Sequence, residues 1–289
     1  MHPYPPIDCP AFRPLALALA STLAVALAAC GGGDETTASA ELQPAAGYAV
    51  VQGQLTDSSG APLAGAQVLA PFGDGQAWAG DTDAQGKFAF QVRAADFTGV
   101  DPVAVVIHKA GYRPATVYFA GIQQGARYQV AANAGSSPRA LATGEYLAQG
   151  LVGLLHLGDD GFSGSINSKL QTGTRGRLAD FAVTTWTAEH KATYSKAVVE
   201  FVGRGIQGLM CNTQFGLAAV GADIGAGIPR YANPGNSDAN GGFSRFALRL
   251  NVADFPVGAQ VRLVAIAGNC SPSDLDDFEF TEALVRFER

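Results

Sequence analysis

Hydrophobic positions fall into three textures along this chain. From Leu15 to Ala29 they form a run of Leu, Ala and Val broken only by Ser21 and Thr22. At about 15 residues the run is shorter than the roughly 20 that a helix needs to span a bilayer. Residues 31–46, GGGDETTASAELQPAA, are mostly small or polar and show no period. From Tyr48 onward the pattern becomes short apolar clusters separated by Gly, Pro, Asp and Ser, the punctuation of turns. In Lys87–Arg93, Phe88, Phe90 and Val92 alternate with Lys87, Gln91 and Arg93, which describes a strand with one buried face. Val103–Ile107 is apolar throughout, as a central sandwich strand is. The same reading predicts strands over Tyr48–Leu55, Ala66–Ala70, Thr116–Phe119 and Arg127–Ala131. It continues with Tyr146–Leu155, Phe181–Thr184, Ala197–Val202, Phe215–Val220, Phe243–Leu250, Gln260–Ala267 and Phe278–Phe287. Gly221–Gly242 reads as the longest loop. With long helical periodicity hard to find, the predicted fold class is all-β, two β-sandwich domains.

The segment Leu27-Ala28-Ala29-Cys30, followed at once by Gly31-Gly32-Gly33, resembles the processing site of a bacterial lipoprotein signal. The region before it is Pro-rich and has only Arg13 as a positive side chain, a departure from the usual pattern. The resemblance implies cleavage before Cys30, acylation of its thiol and attachment to a membrane, with about 0.8 kcal/mol per buried CH₂. Residues 1–29 are then a signal peptide and 30–46 a lipidated flexible tether. Gly31 stands where an aspartate would direct retention, so Gram-negative sorting implies the outer membrane. Of four cysteines, Cys9 leaves with the signal and Cys30 takes the lipid. Cys211 and Cys270 remain, as a disulfide permitted in the cell envelope or as two buried thiols. Only 15% of residues are charged and the net charge is −6, which argues against a nucleic-acid partner.

The first domain carries a specific likeness. "VQGQLTDSSGAPLAGAQVLA", "TDAQGKFAF" and "VAVVIHKAGYRPATVYF" follow one another in the order of the carboxypeptidase regulatory-like domain. The positions that carry the likeness include Gly53, Asp57, Gly60, Pro62, Gly65, Val68, Thr82, Asp83, Gly86, Phe88, Gly111 and Tyr112. Over residues 47–133 it implies a seven-stranded, transthyretin-like sandwich of a kind that is typically non-catalytic. Asp81–Gly86 has the opening of a calcium loop, yet Val92 occupies the place of its last carboxylate, so a β-turn is expected there.

Residues 134–144 read as a linker, and residues 145–289 as a larger, jelly-roll-like sandwich. "HLGDDGFSGSINSKLQ" and "DLDDFEFTEALVRF" are similar to the first and last segments of galactose-binding-like folds, in which the terminal strands lie close together. That implies a meeting of Asp159 and Asp160 with Asp274, Asp276, Asp277 and Glu279. A structural Ca²⁺ is the expected occupant of such an oxygen cage. The alternative is two acidic turns that never meet. Alternation from Asp276 places Phe278 and Phe280 on one face, Asp277 and Glu279 on the other.

Asn167 and Gln171 offer amides suited to sugar hydroxyls, and Trp186 and Tyr194 offer stacking faces. A core role for the tryptophan is the competing reading. No H-E-x-x-H, G-x-S-x-G or P-loop pattern occurs, and His108, His156 and His190 lack ligand spacing. The expectation is a non-catalytic, lipid-anchored envelope protein whose C-terminal sandwich binds a glycan or a surface protein. A structural or assembly lipoprotein is the alternative. A glycan-acting enzyme, which needs a carboxylate pair in a cleft, is the weakest reading.

Overall fold

A computed structural model describes residues 41–73, 76–131, 138–159, 176–221, 227–238 and 241–289. Its first half contains β1 (Tyr48–Gln54), β2 (Gln67–Gly73), β3 (Gln76–Asp81), β4 (Lys87–Arg93), β5 (Val103–His108), β6 (Tyr112–Arg113), β7 (Ala115–Phe119) and β8 (Arg127–Ala131). Seven of these make two sheets, β4-β1-β8 and β3-β2-β5-β7, closed over Val51, Leu55, Val68, Phe90, Val105 and Ile107. β1 runs antiparallel to β4 and parallel to β8. The alternation in β4 is realised, with Phe88, Phe90 and Val92 buried.

The turn before β4 is held by side chains that mimic backbone. Thr82 Oγ1 donates to the Leu63 carbonyl at 2.5 Å and accepts from the Ala66 N–H at 2.8 Å. Asp83 Oδ1 accepts from the N–H groups of Gln85 and Lys87, at 2.9 and 2.8 Å. Gly86 sits at φ +72°, where an added Cβ would stand 2.3 Å from the Leu55 carbonyl oxygen.

The second half contains β9 (Arg139–Ala140), β10 (Glu145–Leu147), β11 (Leu155–Leu157), β12 (Leu178–Thr185), α1 (Ala188–Thr193), β13 (Lys196–Arg204), α2 (Gly208–Cys211), β14 (Gln214–Val220) and β15 (Ile228–Ala232). It ends with β16 (Ser244–Asn251), β17 (Gln260–Ile266), β18 (Asn269–Ser271), β19 (Asp274–Leu275) and β20 (Phe278–Glu288). One sheet has the order β10-β20-β13-β16, with β11 also paired to β20, and the other β12-β17-β14-β15. Taking β10 and β11 as one interrupted strand and setting the short β18–β19 pair aside, the order is first-eighth-third-sixth over second-seventh-fourth-fifth. That is a jelly roll. Its core is aromatic: Phe201 stacks between Phe215 and Phe246, with centroids 4.0 and 4.9 Å away.

Two strands of the main sheets were not anticipated, nor were the short strands β6, β9, β18 and β19. β3 holds few apolar residues and is half exposed at the edge of its sheet. β15 lies within the stretch read as loop, and it is also an edge strand, where Pro229 is tolerated. The single strand expected over Tyr146–Leu155 is instead broken into β10 and β11.

The two sandwiches pack through the outer faces of two sheets. Every residue of β5 except His108 is buried, although only Val103, Val105 and Ile107 belong to the first core. The outward residues Val106 and His108 line a seam with Leu147, Thr281 and Glu282. Arg204, 1% exposed, forms the centre of the joint. Its Nε donates to Glu279 Oε2 at 2.8 Å and its Nη1 to the Pro102 carbonyl at 3.1 Å. Its guanidinium covers Phe243, and Phe243 stacks on Tyr118 of the first sandwich with centroids 4.8 Å apart. Arg113 pairs with Glu200 at 2.5 Å, and β9 pairs with β6 on the way across. Residues 138–144, the described part of the linker, thereby belong to the packed structure. Arg204→Met removes the guanidinium from a buried carboxylate and is expected to cost about 3–5 kcal/mol, read as a lower urea midpoint.

Candidate metal centre

The residues chosen for a metal come from the two ends of the jelly roll, and strand pairing decides which of them meet. β11 lies antiparallel to β20 with Leu155 opposite Phe280, His156 opposite Glu279 and Leu157 opposite Phe278. This register carries Gly158 and Asp159, just past β11, to Asp277, just before β20. The Asp159 N–H donates to Asp277 Oδ1 at 2.9 Å, and the Leu275 N–H donates to Asp159 Oδ1 at 3.0 Å. Asp274 joins them from β19. One carboxylate oxygen from each of Asp159, Asp274 and Asp277 lies within 4.8 Å of the others.

The other carboxylates are placed elsewhere. Asp276 turns inward, accepting hydrogen bonds from the Thr213 hydroxyl and from the Gln207 N–H, the latter at 3.0 Å. Burial pushes its carboxyl up to about 6 against those two hydrogen bonds, which favour the ion. Glu279 is fully buried against Arg204. Of the six carboxylates expected to meet in an oxygen cage, Asp159, Asp274 and Asp277 share the cluster, Asp276 and Glu279 do not, and Asp160 lies outside the described residues. The alternation argument placed Glu279 correctly, opposite the core phenylalanines. What sequence could not supply was the cation waiting on that face, 75 positions away.

His156 stands beside the cluster. Its ring is almost wholly buried, and its Nε2 is 3.8 Å from Asp277 Oδ1. Below the same pole Cys211 and Cys270 form a disulfide, 59 positions apart in sequence. A loop of that length contributes about 4 kcal/mol on chain entropy.

The sugar-contact candidates resolve differently. Trp186 is 0% exposed and packs edge-on against Phe255 and Phe287, at 5.8 and 5.1 Å between centroids. Tyr194 is partly buried against the same core, 5.9 Å from Phe287. Neither ring is a surface platform, because α1 and the strands around it close over them. Asn167 and Gln171, like Cys30, lie outside the described residues. His190, which carried no role in the sequence reading, caps α1 by accepting from the Thr187 N–H and bonds the Tyr146 hydroxyl at 2.8 Å.

No protein-family model matches the chain, and no curated protein does. Among solved structures it is similar to a DUF3823 family protein from Parabacteroides merdae, at 11% identity and TM-score 0.23, over 85% of this chain and 100% of that one. A DUF3823 family protein from Bacteroides ovatus aligns at 10% identity and TM-score 0.22, over 84% and 100%. The major pilin SpaD from Corynebacterium diphtheriae aligns at 10% identity and TM-score 0.21, over 82% of this chain and 56% of the pilin. At such values the function has to be argued from this chain's own residues.

Gly158 is the hinge of the cluster. At φ +141°, an added Cβ would stand 1.8 Å from Asp277 Oδ1. Gly158→Ala is expected to destabilise the protein by about 1–3 kcal/mol from backbone strain alone, measured by urea unfolding.

Proposed function

We propose that this chain is a lipid-anchored protein of the bacterial cell envelope, carried to the outer membrane, and that its jelly roll binds another envelope protein without catalysing a reaction. The observation that carries the anchor is the apolar run ending in Leu27-Ala28-Ala29-Cys30. Among the described residues no helix is long and apolar enough to cross a membrane. A flexible tether would then lead into a two-sandwich body stiffened by the Arg204 joint.

The choice of partner rests on what the surface offers. With Trp186 in the core and Tyr194 half covered, the two rings expected to stack on a sugar are unavailable. At the disulfide pole, α2 holds Leu209 at 75% and Met210 at 66% exposure. Beside them lies an open depression of about 470 Å³ lined by Arg177, Asn212, Gln214 and Asn269, among others. Exposed apolar side chains rimmed by amides and an arginine suit a protein surface better than a glycan. Asp276, held by Thr213 and Gln207, and Glu279, held by Arg204, serve structural contacts, which supports a non-catalytic reading. A structural lipoprotein without a partner at this pole remains the second reading.

Two experiments test these statements. Cys30→Ser is expected to abolish incorporation of labelled palmitate and to move the protein from the membrane to the soluble fraction. If the variant stays labelled and membrane-bound, the anchor is wrong. A photo-crosslinking residue in place of Met210 is expected to trap one discrete envelope protein in cells, whereas one in place of the exposed Val257, in the loop between β16 and β17, traps none. Equal yields at both positions would favour the structural reading.

A further inference from the structure

The depression at the disulfide pole is built from one end of three strands. Leu178, Ile266 and Gln214 stand in a row across β12, β17 and β14. Arg177 directly precedes Leu178, and the Ala267 N–H donates to its carbonyl at 2.8 Å. Asn212 caps α2 in the left-handed region, at φ +60°, which asparagine tolerates better than most residues. Asn269 opens β18. These four polar side chains line the depression, with no acidic side chain among the described residues around it. None of the four has a hydrogen bond or an ion pair among the described residues. Both arginines within this sheet, by contrast, are paired: Arg262 with Asp180 and Arg230 with Asp254. The floor is fixed in place. Cys211 is bonded to Cys270, and a Cβ added to Gly268 would stand 1.9 Å from the Cys211 carbonyl oxygen.

Resting on the reading of this pole as a protein-binding surface, we infer that the depression takes the C-terminal carboxylate of the partner chain. The partner's last side chain is apolar and lies on Leu209 and Met210. An unpaired guanidinium offers a planar fork of donors that matches a carboxylate. The amides of Asn212, Gln214 and Asn269 donate to the same oxygens, and their own oxygens accept the N–H of the last residue. At a chain end the anion and an apolar side chain belong to one residue, so a small patch can engage both. Capture of a terminal carboxylate is a recurring way of recognising peptides. A concave site admits a chain end, whereas a side-chain carboxylate brings backbone on both sides of it.

The test uses the full chain in detergent, titrated into a dye-labelled hexapeptide that ends in two leucines with a free carboxylate. Fluorescence anisotropy is expected to show saturable binding. Amidating the peptide's end, or Arg177→Gln in the protein, should each weaken it about 10–100-fold. Arg177→Lys should recover part of that loss, as a point charge without the fork. Arg177 is exposed, so the melting temperature of Arg177→Gln should match the parent's. Absence of saturable binding, or equal binding of the acid and the amide, would overturn the inference. So would an amidated peptide with an internal glutamate that binds as tightly as the free acid. In cells, Arg177→Gln should cut crosslinking at Met210 about tenfold. Crosslinking that persists undiminished would keep the partner surface and overturn the carboxylate alone.

Discussion

A buried guanidinium organises this molecule. Arg204 has lost its water, and a charge in that position is tolerable only when hydrogen bonds and an opposite charge surround it. Glu279 supplies the charge from the neighbouring strand, and the Pro102 carbonyl supplies an acceptor from the other sandwich. The jelly-roll sheet therefore meets its need only with the first sandwich in place. Two cores that could each have formed a separate bead are instead laid face to face, and the buried outer face of β5 is the apolar side of the same arrangement.

This explains how much of the fold could be read from sequence. Strands with a core on one side and another sheet on the other are apolar on both faces, and Val103–Ile107 declared itself that way. β4 declared itself by alternation. β3 and β15 were silent because an edge strand is held by backbone hydrogen bonds and needs few apolar side chains. Jelly-roll order was legible only in outline, from the acidic first and last segments.

The acidic pole was half legible for a related reason. Spacing along a strand tells which side chains share a face, and it separated Asp277 and Glu279 from the phenylalanines. It does not tell what waits on that face. Arg204 claimed Glu279, Thr213 and Gln207 claimed Asp276, and the turn at Gly158 delivered Asp159 to Asp277. A lone histidine beside an acidic loop has no pattern of its own. Its meaning comes from burial, which depends on all the strands around it. Trp186 carries the opposite lesson, since a large ring in a polar sequence context was drawn into the core by Phe255 and Phe287.

The position of β20 has a consequence for how the protein is made. It is the last strand, 11 residues ending at Glu288, yet it lies inside its sheet with β13 on one side and β10 and β11 on the other. Until those final residues emerge from the ribosome, the first strand has no neighbour and Arg204 has no carboxylate. The jelly roll cannot close before β20 has been made. For a chain exported unfolded, topology would thus act as a timer: export can begin while the strand that locks the jelly roll is still to be added.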